Sequence, residues 1–141
     1  MIVLQTEAQT TIVEDARSAY PNECCGFLLG YEDENSRRII TQAMVVNNAK
    51  EGDQKRRFAI SPQDYQQAEV YAEKENLQLL GVYHSHPDHP AIPSIHDRAA
   101  AQPFFSYIII SVNSGVPGFI RSWRLNEEGN FEEENNHLLT L

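Results

Sequence analysis

The sequence contains little cysteine, and the arrangement of its two cysteines excludes the common thiol sites. Cys24 and Cys25 are adjacent, and no CxxC pair occurs in the 141 residues. Neighbouring residues of a strand point to opposite faces, so a disulfide between these two would be strained. We therefore expect two small buried thiols in a reducing compartment, and neither a redox motif nor a zinc–thiolate site.

Basic residues are also scarce. Eleven Lys and Arg stand against twenty Asp and Glu, which gives a formal net charge of −9. A nucleic-acid backbone or an anionic membrane surface is therefore not expected as the main partner. The short basic clusters at residues 37–38 and 55–57 are typical of solvated strand ends or loops, and the alternative is a local contact for an acidic partner.

Long apolar runs are absent as well. No stretch approaches the roughly 18 apolar residues of a membrane-spanning helix, and the first residues lack the basic and apolar regions of a secretory signal. The cytoplasm is thus the expected location. Hydrophobic residues make up 41% of the chain, which is enough for a proper core, and the length suits a single domain over residues 1–141.

Helical and strand patterns alternate along the chain. Helices are predicted from Thr6, which forms a capping box with Gln9, from Pro62, which follows the N-cap Ser61, and as a short segment after Ser94. Strands are predicted over residues 24–31, 37–48, 57–61, 79–86, 104–112, 119–125 and, more weakly, 131–141. This interleaving predicts an α/β or α+β fold, with helices against the faces of a central sheet.

The stretch HSHPDHPAIPSIHD, residues 84–97, gathers four histidines and two aspartates. His84 and His86 stand two apart at the end of a predicted strand, so their imidazoles leave the same face with Cα atoms about 6.5–7 Å apart. Both can converge on one ion. A catalytic zinc site takes a third protein ligand and leaves the fourth position for water. The candidates for the third ligand are Asp88, His89, His96 and Asp97.

One grouping takes the ligands from residues 84–89. It reads His-x-His-x-Asp-His, with Asp88 and His89 as the further ligands, and resembles the metal motif of metallo-β-lactamase-fold hydrolases. That fold is a much longer four-layer sandwich, and its remaining ligands lie well downstream. The later histidines of this sequence are His96 and His137. The match is therefore partial.

A second grouping joins the two histidines to Asp97. By itself, Ser94 followed by Asp97 is typical of a helix N-cap with an acidic residue in the first turn. Joined to His84 and His86, the same pattern places a carboxylate at a helix start, across a short proline-stiffened loop from two imidazoles. The result is a two-histidine, one-aspartate set with an open water position.

This second pattern resembles the JAMM (MPN+) zinc metallopeptidases. Their signature is a glutamate on an earlier strand, then His-Ser/Thr-His-Pro, then Ser-x-x-Asp, with seven residues between the second histidine and the serine. The corresponding residues here are Glu23, His84-Ser85-His86-Pro87 and Ser94-Ile95-His96-Asp97, and the interval 87–93 has the required length. The segments PNECCGFLLG, FAISPQD and GVYHSHP match too, so the resemblance extends from Pro21 to Leu125.

The resemblance implies a fold, a metal and a set of residue roles. The fold would be a JAB/MPN domain, a mixed central sheet flanked by helices in a cytidine-deaminase-like architecture. His84, His86 and Asp97 would bind Zn²⁺, Glu23 would be the general acid/base, and Ser94 would steady the oxyanion.

The predicted activity is hydrolysis of an amide bond by a zinc-dependent peptidase or isopeptidase. Family members that act on ubiquitin chains carry long insertions, whereas the loops of this sequence are short, which favours the compact prokaryotic type. The implied partner is a small ubiquitin-like sulfur-carrier protein of the ThiS/MoaD type, ending in Gly-Gly and carrying an extension or adduct.

Two alternatives stay open, together with the remaining histidines. The protein could be a non-catalytic binding module of the MPN type. It could also be a metallo-β-lactamase-like hydrolase that uses His84, His86, Asp88 and His89. In the JAMM interpretation, His89 and His96 belong to the loop and the helix surface, and His137 to a solvated polar tail.

Overall fold

Strands outnumber helices in the computed structural model, which describes residues 1–138, with side chains through residue 136. In chain order the elements are β1 (Ile2–Leu4), α1 (Thr6–Ala19), β2 (Cys25–Glu32), β3 (Arg38–Val46), α2 (Pro62–Lys74), β4 (Gln78–Pro87), α3 (Ile95–Ala100), β5 (Ser106–Asn113), β6 (Val116–Leu125), β7 (Phe131–Glu133) and β8 (Asn136–Leu138). None of the three helices in residues 1–138 has the length and the apolar character needed to span a bilayer.

All the strands join in one sheet in the order β7-β6-β5-β4-β2-β3-β1-β8. Pairing is parallel between β4 and β5 and between β1 and both of its neighbours, and antiparallel elsewhere. The predicted mixed central sheet with flanking helices is thus confirmed. The sheet curls around α1, which contacts β3, β4, β5 and β6.

The core is split between the two faces of the sheet. On one face α1 buries Ala8, Ile12 and Ala16 against a cluster that includes Leu28 and Tyr83. On the other face α2 packs through Ala68 against a second cluster that includes Phe27, Val82 and Phe105. Because alternate strand residues point to opposite faces, β4 sends Val82 and the two residues at 84 and 86 to the α2 face.

The start of α1 differs from the prediction. The N-cap is Gln5, which makes no side-chain cap bond, and the helix begins at Thr6. The predicted capping box of Thr6 and Gln9 is therefore wrong. The reason is that β1 leads directly into the helix: the Gln5 N–H donates to the Ile40 carbonyl at 3.0 Å, which fixes the start of the helix one residue earlier.

Two predicted strands also need correction. Residues 57–61 form no strand, although Phe58 and Ile60 pack into the α2-side cluster as a strand residue would. The weak last strand, predicted over residues 131–141, divides into β7 and β8, which lie at opposite edges of the sheet. Residues 139–141 of that prediction lie outside the described residues. By contrast, the predicted cap of α2 is confirmed, since Ser61 Oγ accepts a hydrogen bond from the Asp64 N–H at 3.1 Å and Pro62 opens the helix.

Candidate metal centre and active site

The two histidines of β4 lie on its α2 face and are almost fully buried. His84 is 1% exposed and His86 is 6% exposed, and their Nε2 atoms are 3.1 Å apart. β4 pairs with β2 so that His84 stands opposite Cys25. The ring of Phe58 stacks on the ring of His84 with centroids 4.5 Å apart. The expected convergence of the two imidazoles is therefore seen in the fold.

Asp97 reaches these histidines from the first turn of α3. Its Oδ1 lies 3.2 Å from His84 Nε2 and its Oδ2 lies 3.1 Å from His86 Nε2, with the side chain 8% exposed. Ligand atoms of the three residues all lie within 4.8 Å of one another. Residues 84–97 thus bring the strand end and the helix start together across the proline loop.

Local hydrogen bonds fix the orientation of two of these ligands. Ser94 and Asp97 form a reciprocal capping box, in which Ser94 Oγ accepts from the Asp97 N–H at 3.1 Å and Asp97 Oδ2 accepts from the Ser94 N–H at 2.8 Å. His86 Nδ1 lies 2.8 Å from the Pro90 carbonyl oxygen. Because a carbonyl only accepts, Nδ1 carries the proton, which leaves the lone pair of His86 Nε2 free for a metal.

The donor set fits a tetrahedral cation such as zinc. Metal–ligand bonds of about 2.0–2.1 Å require ligand atoms about 3.3 Å apart. The two histidine Nε2 atoms are 3.1 Å apart, and each lies 3.1–3.2 Å from a different oxygen of the Asp97 carboxylate. Two imidazole nitrogens and a carboxylate at these distances bring their lone pairs close together, which is favourable when a cation lies among them. His84, His86 and Asp97 can therefore hold a metal ion together.

The electrostatics of the three residues agree with their contacts. Burial alone would raise the pKa of Asp97, but the two imidazoles and the Ser94 N–H hold that pKa well below its ordinary value. Burial lowers the pKa of His84, so its neutral form is favoured. For His86, burial also acts to lower the pKa, but hydrogen bonds to Asp97 and to the Pro90 carbonyl outweigh it and raise the pKa.

Glu23 lies just before β2 and is 5% exposed. Its Oε1 is buried and makes no hydrogen bond within the described part of the chain. Burial raises the pKa of this carboxyl to about 8, against a smaller opposing effect of His86. A cation in the nearby three-residue group would lower that pKa again. A buried carboxyl without a fixed partner is suited to proton transfer.

A cavity of about 520 Å³ lies beside the ligand group and reaches one of its members, His86. Glu23, His86 and Ser94 line it together. One wall comes from the segment before α2 and carries Arg56 and Arg57; the other comes from the proline loop and the start of α3, where Ile92 and Ile95 are exposed. The proposed acid/base, a proposed ligand and the proposed oxyanion donor thus face one space.

Asp88 and His89 lie outside the three-residue group. Asp88 is exposed, with a left-handed backbone (φ 58°). Its carboxylate accepts hydrogen bonds from the Tyr20 hydroxyl and from the Ser114 N–H, each at 2.8 Å. His89 is exposed beside the cavity. The structure therefore does not bring these two residues to the histidines as the metallo-β-lactamase-like grouping requires.

The other histidines and the cysteines follow the remaining expectations where they are described. His96 is exposed on α3, and the side chain of His137 lies outside the described residues. Cys24 and Cys25 are buried and free, and neither belongs to the ligand group. The expectation of two buried thiols is confirmed.

Two contacts of the site had no signal strong enough to find them in the sequence. Phe58 had been predicted as a strand residue, and nothing in its spacing indicates that its ring stacks on His84. The Pro90 carbonyl that accepts from His86 is a backbone group, and backbone groups leave no residue-type signature. The close spacing of Pro87 and Pro90 was the one available sign of a stiff loop at this position.

Several known proteins have similar sequences. The chain is similar to the desampylase of Pyrococcus furiosus, with 31% identity over 111 residues that cover 79% of this chain and 72% of that protein. The desampylase of Haloferax volcanii is 30% identical over 113 residues, 77% of this chain and 78% of that protein. A probable TtuB-protein conjugate cleaving protease of Thermus thermophilus is 44% identical over 48 residues, 34% of this chain and 32% of that protein.

Solved structures extend the likeness to the whole fold. The solution structure of a protein from Desulfitobacterium hafniense matches with a TM-score of 0.85 and 31% identity, covering 98% of this chain and 92% of that one. A JAB1/MPN domain protein from Archaeoglobus fulgidus matches with a TM-score of 0.61 at 20% identity, covering 99% of this chain and 100% of that one, and shares the fold. The family model for prokaryotic homologues of the JAB domain matches residues 5–126. The chain therefore belongs to the prokaryotic JAB-domain family, as its resemblance to the JAMM metallopeptidases implied.

Proposed function

We propose that this protein is a zinc-dependent JAMM-type hydrolase that cleaves an amide bond at the C-terminus of a small ubiquitin-like protein. The observation that carries the proposal is the convergence of His84, His86 and Asp97, whose contacts with one another are 3.1–3.2 Å. They converge beside a cavity lined by Glu23, whose Oε1 is buried and has no hydrogen-bond partner among the described residues. The names of the relatives, two desampylases and a conjugate cleaving protease, support the same reaction class.

His84, His86 and Asp97 would hold the zinc ion, which when bound supplies Lewis-acid activation of water and of the scissile carbonyl. The protein's contribution is to hold the ligands in the correct orientation. The Pro90 carbonyl fixes the tautomer of His86, and the capping box fixes the Asp97 carboxylate. Such second partners commonly change metal affinity by about 10–100-fold when removed.

Glu23 would move the proton. Its Oε1 would accept a proton from the attacking water and then deliver it to the amide nitrogen that leaves. The 5% exposure of Glu23 keeps bulk water from competing for this proton. The carboxyl also has no ion pair to break before each transfer, since it has no salt bridge among the residues described.

Ser94 would stabilise the oxyanion while it caps α3. Its Oγ uses a lone pair to accept from the Asp97 N–H, which leaves the hydroxyl proton free to be donated. Ser94 lines the same cavity as Glu23 and His86. A donor fixed in this way needs no reorganisation during the reaction.

The substrate we propose is a ubiquitin-like sulfur-carrier protein that ends in Gly-Gly and carries a C-terminal extension or a lysine adduct. The short connection between β4 and α3, residues 88–94, supports this choice, because it leaves that side of the site open to a protein chain. We place the reaction in the cytoplasm, since adjacent buried thiols that are free suit a reducing compartment.

The test uses the zinc-loaded protein with two substrates, a carrier with a C-terminal peptide extension and a carrier joined to a lysine side chain. Mass spectrometry identifies the product, and Glu23→Gln is the matched control. We expect release of the mature Gly-Gly carrier by the wild type and not by the control. Binding of several carriers without cleavage, by protein that contains one zinc per chain, would contradict an enzymatic function and favour a binding module.

A further inference from the structure

The loop between β3 and α2, residues 47–61, binds both backbone polar groups of Glu23. The Glu23 N–H donates to the Gln54 carbonyl at 2.7 Å, and the Glu23 carbonyl accepts from Asn48 Nδ2 at 3.2 Å. Glu23 precedes β2, whose ladders with β3 and β4 both begin at Cys25. The hydrogen bonds of the Glu23 backbone are therefore made to the loop and not to the strands of the sheet.

The residue that follows is anchored in a different way. The Cys24 N–H donates to Ser85 Oγ at 2.8 Å, and the Cys24 carbonyl accepts from the Ser85 N–H at 3.2 Å. The chain is thus clamped to β4 at Cys24 and to the loop at Glu23. The direction in which the Glu23 side chain leaves the backbone is set by these two anchors together.

Asn48 is the centre of the loop anchor. Its Nδ2 donates to the carbonyls of Glu23 and Arg57 at 3.2 and 3.0 Å, and its Oδ1 accepts from the N–H groups of Lys50 and Ala59 at 3.0 and 3.1 Å. A carboxamide offers two donors and two acceptor sites, and all four are used. Because one side of the Asn48 carboxamide faces backbone N–H groups and the other faces carbonyls, the positions of Oδ1 and Nδ2 are unambiguous.

The same residue connects Glu23 to the rest of the cavity wall. Arg57, whose carbonyl Asn48 binds, lines the cavity, and the next residue, Phe58, stacks on His84. Gln54, which accepts from the Glu23 N–H through its carbonyl, turns its side chain back to donate to the Asn48 carbonyl at 3.2 Å. One carboxamide thus ties the acid/base to the wall that faces the substrate.

We infer that Asn48 is a positioning residue for Glu23, holding its backbone so that the carboxyl remains in the cavity beside His86. It acts through Glu23 and contacts neither substrate nor metal. The inference rests on the role proposed for Glu23, and it adds a dependence of that role on the conformation of residues 47–61.

Asn48→Asp is the sharpest variant. The Asp side chain can still accept hydrogen bonds from the N–H groups of Lys50 and Ala59. Its second oxygen, however, would face the carbonyls of Glu23 and Arg57, where a donor is required. Asp33→Ala is the matched control, because Asp33 organises the β2–β3 turn through the N–H groups of Asn35 and Arg37 at the opposite end of the same two strands. Each variant removes side-chain hydrogen bonds that organise a connection next to β2 and β3.

Kinetics separate positioning from general loosening of the fold. With one zinc per chain, we expect Asn48→Asp to lower kcat by about 10–100-fold with KM changed less than about threefold, and Asp33→Ala to leave both near wild type. In a Glu23→Gln background, Asn48→Asp should cost no further kcat, since two residues that act as a unit are not additive. A full additional loss in that background would overturn the inference.

A crystal structure of zinc-loaded Asn48→Asp gives a readout that does not depend on activity. We expect the Glu23 carboxyl to leave its wild-type position by more than about 1 Å while the histidines stay in place. A displaced carboxyl together with a wild type that cleaves no carrier would support the inference and refute the proposed function. The opposite outcome is an Asn48→Asp protein whose Glu23 carboxyl has not moved and whose turnover is normal, while Glu23→Gln is inactive. That outcome would refute the inference and leave the proposed function standing.

Discussion

The candidate site has two halves that are held in different ways. His84 and His86 belong to β4, which pairs on both sides within the sheet and is buried along most of its length. Asp97 belongs to α3, a helix of six residues of which none is buried. We call these the strand half and the helix half. The strand half is positioned by the core of the fold and the helix half by local hydrogen bonds.

Hydrogen bonds hold both the proline loop and α3 in place. In the proline loop, the Asp88 carboxylate accepts hydrogen bonds from the Tyr20 hydroxyl and the Ser114 N–H. The Ala91 carbonyl of the same loop accepts from Trp123 Nε1 at 3.0 Å. On α3, the Arg98 side chain donates to the Gly129 carbonyl and to Asn130 of the β6–β7 turn, while the capping box secures the first turn. Each such bond contributes only about 0.5–1.5 kcal/mol. Metal affinity should therefore be lost from the helix half before the fold itself is lost.

The largest expected effect lies beside the strand half, at Glu23. Glu23→Gln keeps the shape of the side chain but removes the proton acceptor, so kcat should fall by about 10²–10⁴-fold. Zinc content should stay at one per chain because Glu23 is not in the ligand group. Steady-state kinetics and metal analysis of the same preparation check both points. Full turnover in a variant that retains zinc would remove Glu23 from the mechanism.

In the helix half, Ser94→Ala should be nearly as damaging and should also weaken metal binding. Loss of an oxyanion donor costs about 10²–10³-fold in kcat, and loss of the cap costs about 1 kcal/mol of helix stability. We therefore expect a lower zinc affinity in competition with a chelator, in contrast to Glu23→Gln. Ser94→Thr keeps the hydroxyl and serves as the control. Equal zinc affinity in the wild type, Ser94→Ala and Ser94→Thr would mean that the capping box does not hold Asp97.

The burial of Glu23 should appear as a pH dependence of stability in metal-free protein. Its pKa is raised from an ordinary 4.5 to about 8, so the folded state binds the proton more tightly and loses stability as pH rises through that interval. Glu23→Gln has no such loss. The free energy of unfolding of the variant minus that of the wild type should therefore increase between pH 5 and pH 8. The steepest possible increase is about 1.4 kcal/mol per pH unit. We expect a smaller total of about 2 kcal/mol over this range.

Urea denaturation in the presence of a chelator measures that difference. Adding zinc should reduce it, because a nearby cation stabilises the ionised carboxylate. A difference that stays constant from pH 5 to pH 8 in the metal-free proteins would show that Glu23 is not desolvated as its 5% exposure indicates.

The smallest effects are expected outside both halves, at the residues of the first metal grouping. The pair Asp88→Asn and His89→Ala should leave one zinc per chain and change kcat by less than about threefold, since Asn tolerates the left-handed backbone and can still accept from the Ser114 N–H. Metal analysis and kinetics of the double variant give the check. Loss of zinc from the double variant would instead support the ligand set His84, His86, Asp88 and His89.

The strand half was the easier half to predict from sequence. Alternation alone places His84 and His86 on one face of a buried strand, and the structure confirms that they converge. Asp97 was found only because Ser94 precedes it at a spacing that matches a known family. Spacing describes the helix start, but it does not state how far the proline loop folds back, which depends on contacts with Tyr20 and Trp123.

Residues 57–61 show why other parts were not predictable. Their alternation suggests a strand, because Phe58 and Ile60 both point into the core. Their backbone, however, bonds to a loop: the Ala59 N–H donates to Asn48 and the Ala59 carbonyl accepts from the Ala49 N–H. Alternation of apolar and polar residues indicates which side chains are buried. It does not indicate which backbone groups are hydrogen-bonded to a neighbouring strand. The roles of Glu23 and Ser94 are likewise predictions, because a fold positions a group without revealing its chemistry.

The most direct test of the account is a crystal structure of the zinc-loaded protein with diffraction data collected on both sides of the zinc absorption edge. We predict one anomalous peak per chain, within about 2.0–2.2 Å of His84 Nε2, His86 Nε2 and an Asp97 carboxylate oxygen, with the Glu23 carboxyl beside the same cavity. A peak bonded to Asp88 or His89, or a fully loaded protein whose peak lies away from His84 and His86, would contradict it.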